Sequence, residues 1–212
     1  MWQWSLSWGE ITPTLVIGSC PMTPSDLQRI RREVEVSALL SLQSDACLAW
    51  AHVDYQEMKL VGAALGLVMM RSPMRDFDVG EQRRRLPAAV RALFTLQAAG
   101  HRVYLHCTAG LGRAPLTTLA YLTWIAGWSP ERAIQRIIEG RPGAVPSWDA
   151  YHDSWADLVV AHRDAIARRA YELHREGLHS NALQDWCSAE REILRAVLTA
   201  PEAQELYIEP AA

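Results

Sequence analysis

A cysteine and an arginine five residues apart are the side chains here with the most chemistry to offer. They lie in His106-Cys107-Thr108-Ala109-Gly110-Leu111-Gly112-Arg113-Ala114-Pro115. Val103-Tyr104-Leu105 precedes them and reads as a short buried strand. Leu116 to Ala126 follows as an apolar helix closed by Gly127. The cysteine therefore ends a strand, a glycine-containing loop follows, and the arginine opens a helix. Backbone N–H groups from Thr108, Ala109, Gly110, Leu111, Gly112 and Arg113, together with the helix N-terminus, form a concavity suited to an oxyanion. The same field favours a thiolate at Cys107 and makes it a nucleophile. The planar fork of Arg113 can clasp two phosphate oxygens. The pattern is a phosphate cradle with its own nucleophile, and His106 is expected to orient and polarise the cysteine region.

Cleavage of a phosphate monoester also needs a proton for the departing oxygen, which a loop carboxylic acid can supply. Arg75-Asp76-Phe77-Asp78 stands upstream of Cys107, after a predicted strand, and offers two aspartates. Asp78 lies three positions before Glu81, the spacing of an N-cap and capping box. Asp76 has no such local task.

The elements that must place these groups alternate between strand and helix. Thr14 to Ile17 reads as a strand ending at Gly18. Thr23-Pro24-Ser25-Asp26 is a helix start with Thr23 as N-cap and Pro24 at N1, running to about Glu33. Val36 to Leu42 reads as a buried parallel strand. Leu60 to Leu67 reads as a helix end, followed by a strand from Leu67 to Met70. Leu86 to Ala99 is helical, with Pro87 predicting a kink or restart. Ser129-Pro130 opens another helix with Ala133, Ile134, Ile137 and Ile138 as its apolar stripe. This order implies an α/β domain with a central, mostly parallel sheet flanked by helices, whose ligands bind at the carboxyl ends of the strands. From about Ala156 the composition turns to Ala, Arg, Glu and Leu. Ile166 to Glu176 and Leu183 to Leu198 then form a helical hairpin. The expected division is a catalytic domain over 1–158 and a C-terminal helical extension over 159–212.

Composition narrows the function. The chain has 212 residues, half of them hydrophobic, enough to bury a sizeable core. Its formal net charge of −3 gives no global basic field toward nucleic acid or an anionic membrane. No stretch has the apolar length of a membrane span. Met1-Trp2-Gln3-Trp4-Ser5 lacks the features of a leader. Cys20, Cys47, Cys107 and Cys187 are scattered without metal-like spacing, as are His152, His162, His174 and His179. These observations predict a cytoplasmic protein with a free catalytic thiol and neither metal nor cofactor; the oligomeric state stays open. Trp2, Trp4 and Trp8 open the chain either as an edge covering for the core or as sugar-stacking rings.

The motif around Cys107 resembles the cysteine-dependent phosphatases of the dual-specificity class. Cys-Thr-Ala-Gly-Leu-Gly-Arg followed by Ala-Pro resembles their glucan phosphatase branch. Leu15-Val16-Ile17-Gly18-Ser19, Leu42-Gln43-Ser44-Asp45 and Arg75-Asp76-Phe77-Asp78 stand in the same order as in that branch, so the resemblance covers roughly residues 8 to 158. It implies Cys107 as nucleophile, Arg113 as phosphate clamp and Asp76 as general acid. It also implies Trp50, Tyr55 and Phe77 beside the cradle as contacts to a phosphorylated α-glucan. Many relatives carry Ser or Thr after the arginine, where this chain has Ala114, a departure that agrees with the glucan branch. The rival enzyme reading is a dual-specificity phosphatase acting on phosphotyrosine, phosphoserine or phosphothreonine in proteins. A non-catalytic binding module disagrees with the intact triad. A phosphoinositide substrate favours lysines in the loop, where Thr108 and Leu111 stand. Ile166 to Tyr171 through Asp185-Trp186 and Ala189-Glu190-Arg191 resembles a short bacterial helical module of unassigned function.

Overall fold

The computed structural model describes residues 4–177 and 181–200; Trp2 and His179 lie outside them. Five strands form one sheet: β1 (Trp8–Thr12), β2 (Leu15–Gly18), β3 (Ala38–Gln43), β4 (Val68–Met74) and β5 (Val103–His106). Their spatial order is β1-β2-β5-β3-β4. The last four are mutually parallel, and β1 returns antiparallel on β2 at one edge. The expected α/β class with a mostly parallel sheet is therefore present.

The three central strands are buried along their whole length, as the near-continuous apolar runs require. Val16, Leu39 and Tyr104 of those strands pack with Leu27, Ile30, Val36, Met58 and Leu67 into a core cluster. Pro73 sits in β4, which the sheet tolerates because β4 is an edge. Strand β1 was not expected; its alternation is weak because Trp8 is only half-buried, packed against the core cluster and under the Arg29 guanidinium 5.2 Å from its ring centroid. That position supports the edge-covering role for Trp8.

Helix α1 (Pro24–Glu33) begins as predicted, with a reciprocal capping box between Thr23 and Asp26. Two short helices, α2 (Asp45–Trp50) and α3 (Tyr55–Ala64), are capped by the side chains of Ser44 and Asp54. Helix α4 (Val79–Ala98) runs without interruption through Pro87, so the chain does not restart a helix there. The lost N–H removes one helical bond, while Leu86, Ala89, Val90, Leu93 and Leu96 bury the surrounding face. Helix α5 (Arg113–Ala120) is fully buried and passes into a π-helical turn over Tyr121–Ile125. Helix α6 (Pro130–Gly140) starts on the Ser129 cap.

The chain divides into two compact units, Met1–Tyr151 and His152–Ala212. That division falls within helix α7 (Trp148–Ala161), the same helix that contains the division expected after residue 158. In the second unit, α8 (Arg163–Glu176) ends on Gly177 in the left-handed conformation, and α9 (Ala182–Thr199) starts on the Asn181 cap. Polar contacts fix their register: His174 Nδ1 lies 3.1 Å from the buried Asp185 carboxylate, and Arg169 meets Glu192 at 3.0 Å. Glu190 accepts from the indole N–H groups of both Trp155 and Trp186.

Candidate active site

The carboxyl ends of β2, β3, β4 and β5 all deliver residues to one place. β5 lies between β2 and β3, so the chain leaving it at His106 emerges where the sheet order is non-sequential. Cys107 follows directly and is 2% exposed. The loop after it is pressed onto the end of β2. Gly110 has φ +73°, and a Cβ there would meet the Gly18 carbonyl oxygen at 2.4 Å. Gly18 in turn leaves room for the Tyr104 hydroxyl, which donates to the Ser19 carbonyl at 2.9 Å. Only glycine fits either position.

The loop's carbonyls are bonded away from its centre. Thr108 O accepts from Cys20 N at 2.9 Å, and Leu111 O accepts from Val145 N at 2.7 Å. Ala109 O and Gly110 O accept from the Arg141 side chain at 2.7 and 3.4 Å. A trans peptide whose carbonyl points out presents the next residue's N–H inward. The N–H groups of residues 109 to 112 therefore converge. Helix α5 opens on Gly112 with no side-chain cap, so its first-turn N–H groups add to the same field.

Arg113 is fully buried, yet its guanidinium is anchored at several points. One terminal nitrogen donates to Met74 O at 2.9 Å and approaches Cys47 Sγ at 3.3 Å. The other donates to Asp76 Oδ2 at 2.8 Å and Thr108 Oγ1 at 3.1 Å. Its Nε is buried with no protein partner. A buried, orphaned donor beside converging N–H groups fits an oxyanion. Burial pushes His106 down to about 4, and its Nδ1 lies 3.0 Å from Cys107 O. A carbonyl only accepts, so Nδ1 carries the proton and the ring is neutral.

The acid loop is held by the start of α4. Asp78 caps it by accepting from Glu81 N at 2.8 Å. The reciprocal half of the predicted capping box is redirected, because Glu81 accepts instead from Arg75 N at 3.0 Å. Gln82 donates to Arg75 O at 3.2 Å. Asp76 is left facing Arg113, and Phe77 is driven outward at φ +57° with 96% of its surface exposed. A non-glycine residue in that conformation is strained.

These residues border a cavity of about 520 Å³ lined by Ser44, Cys47, Trp50, Asp76, Phe77 and Thr108, among others. Trp50 is 63% exposed and forms the other aromatic wall. Tyr55 does not line it; its ring is half-buried beneath the Arg71 guanidinium, 5.0 Å from the centroid. Cys47 was not singled out by sequence, because nothing in its spacing links it to Arg113. Burial raises this thiol, but Ser44 and the Arg113 charge outweigh that and bring it below its ordinary value. Cys20 is pushed up to about 11 by burial and stays a thiol.

Residues 49–153 match the family described as dual specificity phosphatase, catalytic domain. The chain belongs to the dual-specificity phosphatase family. Among its relatives, the phosphoglucan phosphatase DSP4, amyloplastic, of Castanea sativa is 32% identical over 76% of this chain and 43% of its own length. The mouse phosphatidylglycerophosphatase and protein-tyrosine phosphatase 1 is 41% identical over 62% of this chain and 66% of its own. The chain thus spans less than half of the chestnut relative. A solved structure of PTPMT1 shares the dual-specificity phosphatase fold, with a TM-score of 0.57 and 22% identity over 70% of this chain and 91% of that one. Among the described residues no helix is long and apolar enough to cross a membrane.

Proposed function

We propose that this protein is a cysteine-dependent phosphomonoesterase that removes phosphate from phosphorylated α-glucan. The Cys107 thiolate attacks phosphorus in line, forming the S–P bond as the P–O bond to the sugar breaks. Asp76 gives its proton to the departing oxygen. The N–H groups of residues 109 to 112 and the Arg113 guanidinium hold the equatorial oxygens through the charge redistribution. Water then attacks the phosphocysteine, Asp76 takes its proton, and the thiolate leaves. The phosphate competes with Asp76 for the Arg113 terminal nitrogen, which frees the carboxyl to turn to the leaving oxygen.

The observation carrying the substrate class is the pair of exposed rings, Trp50 and Phe77, on the walls of the catalytic cavity. Exposed aromatic faces cover sugar rings well, and a strained backbone that holds Phe77 outward is stored at functional sites. The likeness to a phosphoglucan phosphatase agrees with this reading. The free thiols suit a reducing compartment such as the cytoplasm. Parallel assays of phosphate release from phosphorylated starch or glycogen, a phosphotyrosine peptide and an acidic phospholipid test it. Faster turnover of the glucan is expected; a preference for the peptide would establish the protein-phosphatase reading in its place.

A further inference from the structure

Arg141 lies at the end of α6, well beyond the Cys107 motif, and is only 9% exposed. It reaches the loop from behind. One terminal nitrogen donates to Ala109 O at 2.7 Å, Nε donates to Gly110 O at 3.4 Å, and the other terminal nitrogen donates to Ser7 Oγ at 3.1 Å. Ser7 is itself tied to the end of β2, its N–H donating to Ser19 Oγ at 3.0 Å and its carbonyl accepting from Ser19 N at 2.9 Å. Just past Arg141 the chain turns so that Val145 N holds Leu111 O at 2.7 Å. The guanidinium thus ties together α6, the N-terminal segment and the phosphate loop.

The charge balance is unusual. None of the ion pairs among the described residues gives Arg141 a carboxylate partner; its contacts are two carbonyls and a hydroxyl. A buried cation without a counter-ion is costly, and carbonyl dipoles offset only part of that cost. Burial draws this guanidinium below its ordinary value, while Tyr104 and Cys107 act the other way. An anion on the far side of the same loop, a thiolate or a bound phosphate, would complete the balance.

Resting on the reading of this loop as a phosphate cradle, we infer that Arg141 is a positioning residue and the second buried cation of the site. It keeps the Ala109 and Gly110 carbonyls turned out, so that the N–H groups of Gly110 and Leu111 stay aimed at the oxyanion. Its charge favours the anionic state of whatever occupies the cradle. Arg113 touches the phosphate; Arg141 acts through the loop.

The test uses the full chain, with an aryl phosphate as substrate and orthovanadate as an oxyanion probe. In Arg141→Met, kcat should fall and the vanadate inhibition constant should rise, each by about tenfold or more, among molecules that remain folded below the thermal transition. A purely structural role would lower the thermal midpoint and leave both constants unchanged per folded molecule. Arg141→Lys keeps the charge but cannot span both carbonyls and Ser7, so it should fall between the two, and it decides the matter where the Met variant does not fold. Vanadate affinity and kcat within twofold of wild type in a folded Met or Lys variant would overturn the inference. Wild-type protein that neither hydrolyses the aryl phosphate nor binds vanadate would instead overturn the phosphatase reading on which it stands.

Discussion

At the scale of single residues, geometry separates the two aspartates that composition leaves in competition. Asp78 is spent on the Glu81 N–H at the start of α4, whereas Asp76 faces the arginine of the cradle. Asp76→Asn should therefore lower turnover of an alcohol leaving group by about 10²-fold or more, because no proton is delivered. Asp78→Asn should keep most activity, since Asn still caps a helix. Steady-state rates on a phosphorylated sugar compare the two, and the reverse ranking would move the acid to Asp78. Cys107→Ser should abolish turnover and still bind substrate, because the hydroxyl stays un-ionised while the loop persists; residual near-normal phosphate release would remove the nucleophile. His106 offers a pH test. Its folded-state value lies near 4 against 6.5, through burial, so the unfolded chain binds the extra proton first. Stability from this group is complete above about pH 6.5 and declines as pH falls toward 4, by at most about 3 kcal/mol. Urea unfolding of wild type and His106→Gln across that range should show the flatter slope in the variant.

At the scale of elements, the parts that read clearly are those whose local chemistry agrees with the fold. The Thr23-capped helix start, the β2 and β5 runs, and the strand–loop–helix around Cys107 appear close to their expected bounds. Three features were less legible. Strand β1 is a half-buried edge without clean alternation, and α2 is a helix of six residues that depends on the Ser44 cap. The supports of the loop come from Arg141, Cys20 and Val145, whose connection to residue 108 to 111 carbonyls exists only in three dimensions. Trp50 and Phe77 line the cavity, while Tyr55 lies against Arg71. The aromatic walls make a prediction of their own. Trp50→Ala and Phe77→Ala should lower glucan activity about tenfold more than aryl-phosphate activity, since only the long substrate uses the rings. Removing Phe77 also replaces an exposed side chain, so no core packing is lost and the thermal midpoint should hardly move. Tyr55→Phe should leave the ratio of the two activities unchanged. Equal losses on both substrates for the Trp50 and Phe77 variants would favour a peptide substrate, which needs only a slot of suitable depth.

At the scale of the whole molecule, the residues described around Cys107 can be assigned to units. Every side chain placed around Cys107, including Arg141, belongs to residues 1–151. The second unit has its own buried contacts, with Ile166 and Leu173 on α8 and Ala189, Leu194 and Leu198 on α9. Its register is held by the His174–Asp185 and Arg169–Glu192 contacts. The division at Tyr151 falls inside α7, whose Tyr151 hydroxyl donates to Thr123 Oγ1 at 2.9 Å and whose Trp148 packs edge-on against Tyr151. A cut at the division would sever that helix, so the informative truncation keeps α7 whole and ends after Ala161. We expect this shortened protein to fold and to hydrolyse a small aryl phosphate within about threefold of the full chain, because each group that touches the phosphate is retained. Circular dichroism establishes the fold, and initial rates on the aryl phosphate give the ratio. A folded but inert product would place part of the active site in the helical extension. Full aryl activity combined with lost glucan activity would assign the extension to substrate capture.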